Sequence, residues 1–399
     1  MDTKEKSLAL HQEKRGKLSV ESKVTINSRE DLALAYTPGV AEPCKKIAEN
    51  KEDAYKYTAK GNLVGVITDG TAVLGLGDIG PEAAMPVMEG KAILLKEFSG
   101  VDGFPICLDT TDTEEIIQTI INIAPTFGAI NLEDISSPRC FEIEKRLDDL
   151  LSIPIFHDDQ HGTAIVVTSG ILNSLRLVNK QLEDIKVVLN GPGAAGTAIV
   201  NMLLDLGVKH MVVCDEHGIL SVARPGTLID HKHDLAIRTN PEQIVGDLSD
   251  ALKGADVLIG VSIGGIVSEE MVKSMNSDAI IFAMANPVPE ILYEEAKRAG
   301  ARVVGTGRSD FPNQINNVLA FPGIFKGALS VRATTINNEM KFAAAKAIAD
   351  MVTDEELSEE YVIPDALNKK VANQVAAYVA QAAIETGVAT KVSEGVAHV

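Results

Sequence analysis

Short apolar runs alternate along the chain with longer stretches of helical period, which predicts an α/β protein and not a β-sandwich. LVGVITDG (63–70) and TAVLGLGD (71–78) read as two strands, 83–100 as a helix despite its internal Pro and Gly, and FPICLDT (104–110) as a third strand. A helical pattern in EEIIQTIINIAPTFG follows, then a strand in AINLEDI (129–135), a helix over 141–151 and a strand in IPIFHDD (153–159). GTAIVVTSGILNSLRLV, after His161, is an apolar helix able to join two halves of the molecule. Beyond it, IKVVLN and the runs at 210–215, 255–262, 278–287 and 301–307 predict strands with helices between most of them, a parallel sheet covered on both faces. Residues 1–60 are polar, with a short helix at 31–35 ended by the Tyr36-Thr37-Pro38-Gly39 turn, and suit a lid or a partner-contact arm. The last sixty or so residues are helical by pattern; they either cap the second half or return to the first.

Composition narrows the function. The chain has 399 residues, 45% of them apolar and 23% charged, enough for more than one domain. Its 37 Lys and Arg against 56 Asp and Glu give a net charge of −19, which opposes nucleic acid and anionic membrane as partners. Trp is absent and aromatics are 4%, which speaks against base-stacking platforms. Four Cys lack any CxxC spacing and the first residues are charged, so a reduced, cytoplasmic protein is expected. No apolar run approaches the roughly 18 residues of a membrane helix, so a soluble protein is expected. Several acids nevertheless lie inside apolar, Gly-rich stretches, where an unpaired carboxylate is costly to bury.

The glycine run is the most specific motif. Gly191-Pro192-Gly193-Ala194-Ala195-Gly196 fits GxGxxG between a strand and an apolar helix, where backbone donors and the helix N-terminus meet a phosphate without obstruction. The next strand ends in Asp215, about 20 residues on, where a carboxylate can accept from a ribose diol. A Rossmann-type dinucleotide site follows, the alternative being a tight structural turn. Asp215, Glu216 and an uncharged His217 make that edge acidic, which favours NAD over NADP, although NADP stays open. Glu133, Asp134 and Asp159 end two predicted strands and together suit Mg²⁺ or Mn²⁺; as residues alone they serve equally as helix caps or surface charge. Lys91 sits in an apolar stretch near acids, the setting of a proton carrier or of a snorkelling surface lysine. Tyr36 reads as a packed ring with a wet hydroxyl.

Eight separated motifs, AYTPGVA, ITDGTAVLGLGDIG, MPVMEGKA, NLEDI, FHDDQHGTA, GPGAAG, FAMANP and GRSDFPNQINNVLAFPG, resemble in content and order those of the compact bacterial malic enzymes. The resemblance implies an N-terminal catalytic domain over 1–160 and a Rossmann-type NAD-binding domain with a C-terminal helical extension over 161–399. It implies oxidative decarboxylation of (S)-malate to pyruvate and CO₂ with reduction of NAD, decarboxylation of oxaloacetate as well, a divalent metal and a homodimer or higher homo-oligomer. In it Tyr36 is the acid toward the enol, Lys91 the general base coupled to it, and Asp158 the residue that adjusts the charge of Lys91. Glu133, Asp134 and Asp159 hold the metal, Asn286, Asn316 and Asn317 meet substrate, and Asn286 also borders the coenzyme. Larger relatives carry Glu-Arg before the GLGD motif where this chain has Thr71-Ala72, so the arginine that neutralises a substrate carboxylate there has no counterpart at Ala72. A different 2-hydroxyacid dehydrogenase and a non-catalytic NAD sensor are the alternatives to malate oxidation.

Overall fold

The computed structural model describes residues 2–73, 75–224, 228 and 230–391. Two sheets organise them. The first joins β1 (Leu63–Thr68), β2 (Asp102–Cys107), β3 (Ala129–Leu132) and β4 (Ile155–His157) in the order β2-β1-β3-β4, all parallel. The second joins β5 (Lys186–Asn190), β6 (His210–Asp215), β7 (Gly218–Ile219), β8 (Val257–Gly260), β9 (Ile280–Ala283) and β10 (Val303–Thr306) in the order β10-β9-β8-β5-β6-β7. Among the described residues only β7 runs antiparallel there, a two-residue return on β6. Helices cross over between the parallel strands, as that arrangement requires.

The predicted strand at 71–78 is not one. Among its described residues there is only an isolated bridge from Val73 to Gly77, with Gly75 and Gly77 both at a φ of 75°. Both edges of β1 already pair, with β2 and β3, so a hairpin return has no free edge to join. The segment is instead a loop at the mouth of the sheet, pinned where Ala72 N–H donates to Asp134 C=O.

The apolar helix after β4 begins earlier than predicted, at Asp158, and runs to Val178. It is buried over most of its length and packs against the helix Ala194–Asp205 of the second sheet. The C-terminal helices Phe321–Ser330, Asn338–Ala349 and Lys370–Glu385 pack on one another. They also return to the first half, onto Asp158–Val178 and onto Pro81–Ser99, so one continuous core contains Val64, Met88 and Phe156 together with Phe321, Phe325 and Val375. That answers the choice the sequence left open. No helix among the described residues is long and apolar enough to cross a membrane.

Candidate active site

In open parallel sheets, ligands meet the carboxyl ends of the strands. β3 and β4 are in register with Leu132 beside His157, so the residues that follow, Glu133-Asp134 and Asp158-Asp159, emerge side by side. One carboxylate oxygen from each of Glu133, Asp134 and Asp159 lies within 4.8 Å of the other two. Asp134 holds a left-handed φ of 54°, and its N–H donates to Asp159 Oδ2 at 2.7 Å. Its own Oδ2 is buried without a hydrogen-bond partner. Burial, then repulsion among these acids, raises the carboxyl pKa of Asp134 above its ordinary value. Converging hard oxygens with an orphaned buried acceptor fit Mg²⁺ or Mn²⁺.

Lys91 comes to this cluster from the helix Pro81–Ser99 and is 8% exposed. Its Nζ lies 2.6 Å from Asp158 Oδ2, 2.9 Å from Glu133 Oε1 and 4.5 Å from the centre of the Phe321 ring. Burial alone would favour the neutral amine, but Asp158, Glu133 and Asp159 outweigh it and raise the lysine pKa. Asp158 is itself buried, and Asn317 Nδ2 donates to its Oδ2. Asp158 Oδ1 folds back over the helix to within 1.9 Å of the position a Cβ on Gly162 would take, so any side chain there would push the carboxylate away from its place beside Lys91 and Asn317.

Three predicted site residues stand apart from the Lys91 group. Asn316 turns to the backbone, accepting from Val318 N–H at 3.0 Å. Asn286 Nδ2 donates to Met284 C=O at 3.3 Å, and the Asn286 carbonyl lies 3.7 Å from where a Cβ on Gly75 would be, so it faces the loop of the first half. Tyr36 caps the helix Arg29–Ala35 at 67% exposure, and among the described residues its side chain has no hydrogen bond or ring contact. At the departure from the larger relatives, Arg139 lies near Ala72, but it is committed to Asp69, Thr71, Ser136 and the Thr111 carbonyl.

The glycine loop behaves as its spacing predicts. Gly191 has a φ of 109°, and a Cβ there would lie 2.6 Å from Val261 C=O. A Cβ on Gly196 would lie 2.0 Å from Gly191 C=O, whereas Gly193 has open space before it. The helix Ala194–Asp205 starts here with Ala194 and Ala195, so its N-terminal amides face that opening. Asp215 is at the adjacent strand end, but the bare acidic edge expected from Asp215, Glu216 and His217 needs correction. Arg224 and Lys232 come back to it, and both bond the Asp215 carboxylate.

Sequence reading also missed Glu144 and Phe321. Glu144 accepts from His157 N–H at 2.8 Å, from Gln160 Nε2 at 3.1 Å and pairs with His161 Nε2 at 2.9 Å, which fixes the turn carrying Asp158 and Asp159. Its position, four residues after buried Cys140 and three before buried Leu147, puts it on the inward face of the helix Arg139–Leu150, and that periodicity was the available signal.

Residues 14–148 match the malic enzyme N-terminal domain and residues 160–384 the malic enzyme NAD-binding domain. The chain is 58% identical over 389 residues to the bifunctional malic/malolactic enzyme of Bacillus subtilis, covering 98% of this chain and 95% of that one. It is 59% identical over 377 residues to the NAD-dependent malic enzyme of Geobacillus stearothermophilus, covering 94% and 78%. The crystal structure of malic enzyme from Pyrococcus horikoshii superposes with a TM-score of 0.93 at 50% identity, covering 98% of this chain and 93% of that one. On sequence, fold and the cluster at its strand ends, the chain belongs to the malic enzyme family.

Proposed function

We propose that the chain catalyses the oxidative decarboxylation of (S)-malate to pyruvate and CO₂ with reduction of NAD, and that it decarboxylates oxaloacetate at the same site. One observation carries this reading: Lys91, buried, is bonded at once to Asp158 and to Glu133 of the acidic cluster, so a proton carrier and a cation site share one carboxylate group. Glu133, Asp134 and Asp159 hold the divalent ion, which when bound polarises the C2 oxygen and stabilises charge there as CO₂ leaves. Lys91 takes the C2 hydroxyl proton once its carboxylate partners are offset and burial again favours the amine. Asp158 tunes that balance, and Asn317 holds Asp158 in place. Asn286 and Asn317 border the substrate, with Asn316 shaping the backbone beside Asn317, and the amides after Gly193 receive the coenzyme pyrophosphate while Asn286 borders its nicotinamide end.

In this reading 1–160 is the catalytic part and 161–399 the coenzyme-binding part, in a cytoplasmic homodimer whose four cysteines are free thiols. Tyr36 is the acid toward enolpyruvate. Its exposure, and the absence among the described residues of a hydrogen bond or ring contact from its side chain to Lys91, favour its delivery to the cleft of the second copy.

Malate, Mn²⁺ and NAD should give nicotinamide reduction with pyruvate and CO₂ appearing together, and chelation of the metal should stop it. Lys91→Ala should lose this reaction and keep NAD binding. Reduction without CO₂, or full turnover by Lys91→Ala, would refute the assignment.

A further inference from the structure

Ala129, Ile130 and Leu132 of β3 are fully buried apolar residues, and the remaining residue of that strand, Asn131, is fully buried among them. It stands in register with Val66 of β1 and Phe156 of β4, both inaccessible to solvent. An amide in such a place needs a partner at each of its two ends. Asn131 Nδ2 donates to Glu133 Oε2 at 2.8 Å, but Oδ1 is buried without a hydrogen-bond partner. The reverse orientation is worse, because it sets the amide oxygen against a carboxylate oxygen. A leucine, with a similarly branched side chain, would bury no orphaned oxygen, so the core by itself gives no reason for an asparagine.

Glu133 gives one. Its N–H donates to Ile67 C=O at 2.9 Å, which carries the pairing with β1 one residue beyond the end of β3 and keeps residues 131 and 133 on the same face. The two oxygens of Glu133 then have separate tethers: Oε1 meets Lys91 Nζ at 2.9 Å, and Oε2 accepts from Asn131. Lys91 reaches across on a flexible stem from another helix and is shared with Asp158, whereas Asn131 is fixed in the sheet. A carboxylate tied at both oxygens is held against rotation about its last bond. Each oxygen still keeps a lone pair for a cation held jointly with Asp134 and Asp159.

We propose that Asn131 is a positioning residue of the cation site: it fixes the Glu133 carboxylate in the orientation that meets a divalent ion together with Asp134 and Asp159, and the sheet is less stable for holding it. Asn131 acts through Glu133 and contacts neither substrate nor coenzyme. The inference rests on the cation site, not on malate as substrate.

Asn131→Leu keeps the branched shape and removes the amide; Asn131→Ala removes the amide without adding volume, which covers the case in which leucine is not accommodated. Titration of full-length, metal-free protein with Mn²⁺, with free Mn²⁺ read by electron paramagnetic resonance, measures affinity without turnover. Both variants should bind Mn²⁺ about tenfold more weakly, the usual loss when a ligand's own hydrogen-bond partner is removed, while NAD affinity stays unchanged. Metal-free Asn131→Leu should melt at or above the temperature of the native protein, since the orphaned oxygen is gone, yet the same concentration of Mn²⁺ should raise its melting temperature less. Native Mn²⁺ affinity in both variants would overturn the proposal. So would equal losses of Mn²⁺ and NAD affinity in a destabilised Asn131→Ala, because Asn131 would then serve the sheet as a whole. A tenfold difference in Mn²⁺ affinity with no malate turnover by the native protein would support this role and count against the malate assignment alone.

Discussion

Glu133, Asp134 and Asp158 are buried beside Lys91, with the half-buried Asp159 next to them, so each additional negative charge is disfavoured by burial before any neighbour acts. Burial raises the pKa of all four, and mutual repulsion adds to the shift at Asp134. Asp134, pushed up to about 9, therefore keeps its proton at neutral pH, and a divalent ion has to displace it. Mn²⁺ titrated into metal-free enzyme at neutral pH should release protons, read calorimetrically as a binding heat that changes with the ionisation heat of the buffer. Asp134→Asn should release fewer and bind Mn²⁺ at least about tenfold more weakly, since it removes the carboxylate whose Oδ2 has no other partner. A heat independent of buffer would contradict this account. The buried Glu290 shows the other way to satisfy an acid, because it accepts from the backbone N–H groups of Ser262 and Ala285 and has no part in the cluster.

The start of the helix Asp158–Val178 carries two of those acids, and the helix Arg139–Leu150 fixes it through Glu144. Burial would raise the Glu144 pKa, but His161, Lys341 and His157 hold it down to about 2 from an ordinary 4.5. A carboxyl depressed in the folded state stabilises the fold fully above its unfolded value and loses that contribution as pH falls, here from near 4.5 toward 2. The melting temperature of the native enzyme should thus fall more steeply over that interval than that of Glu144→Gln, with the two curves converging at the acid end. Parallel curves would show that Glu144 bears no such load. Elements of this kind were only partly legible in the sequence. Strands of a parallel sheet announce themselves as apolar runs, and the glycine loop by its spacing, because both requirements are local. TAVLGLGD has the same local look, and it failed as a strand because β2 and β3 already occupy the edges of β1. Phe321 under Lys91 and Arg224 beside Asp215 depend on packing between distant segments, which no local pattern encodes.

At the scale of the molecule, the charge of −19 hides a local balance: Lys91 faces the cleft acids, and Arg224 with Lys232 faces Asp215 and Glu216. What the single chain leaves unbalanced is apolar. Leu8, Val20, Val24, Ile26, Leu32, Leu34 and Tyr36 are all exposed along the N-terminal segment, and the helix Thr3–Lys14 has no buried residue. That segment touches its own chain near the site, where Lys17 N–H donates to Glu89 at 2.8 Å and Lys17 Nζ to Pro86 C=O at 2.6 Å, yet the Tyr36 ring is left in solvent. A proton donor is useful only at a cleft that holds Lys91 and Asp158, and a second copy of the chain offers one. If each cleft combines Tyr36 of one copy with Lys91 of the other, two inactive variants can repair each other. Tyr36→Phe and Lys91→Ala homodimers should each be inactive in malate decarboxylation. After mixing, with subunits exchanged under mild denaturation and renaturation, a heterodimer contains one cleft with both defects and one with neither. Random exchange of equal amounts makes about half of the dimers heterodimers, each with one sound cleft, so activity should recover to roughly a quarter of the native value. If instead Tyr36 and Lys91 of the same chain serve one cleft, every cleft in the mixture carries one defect and no activity returns, which would end the shared-site reading.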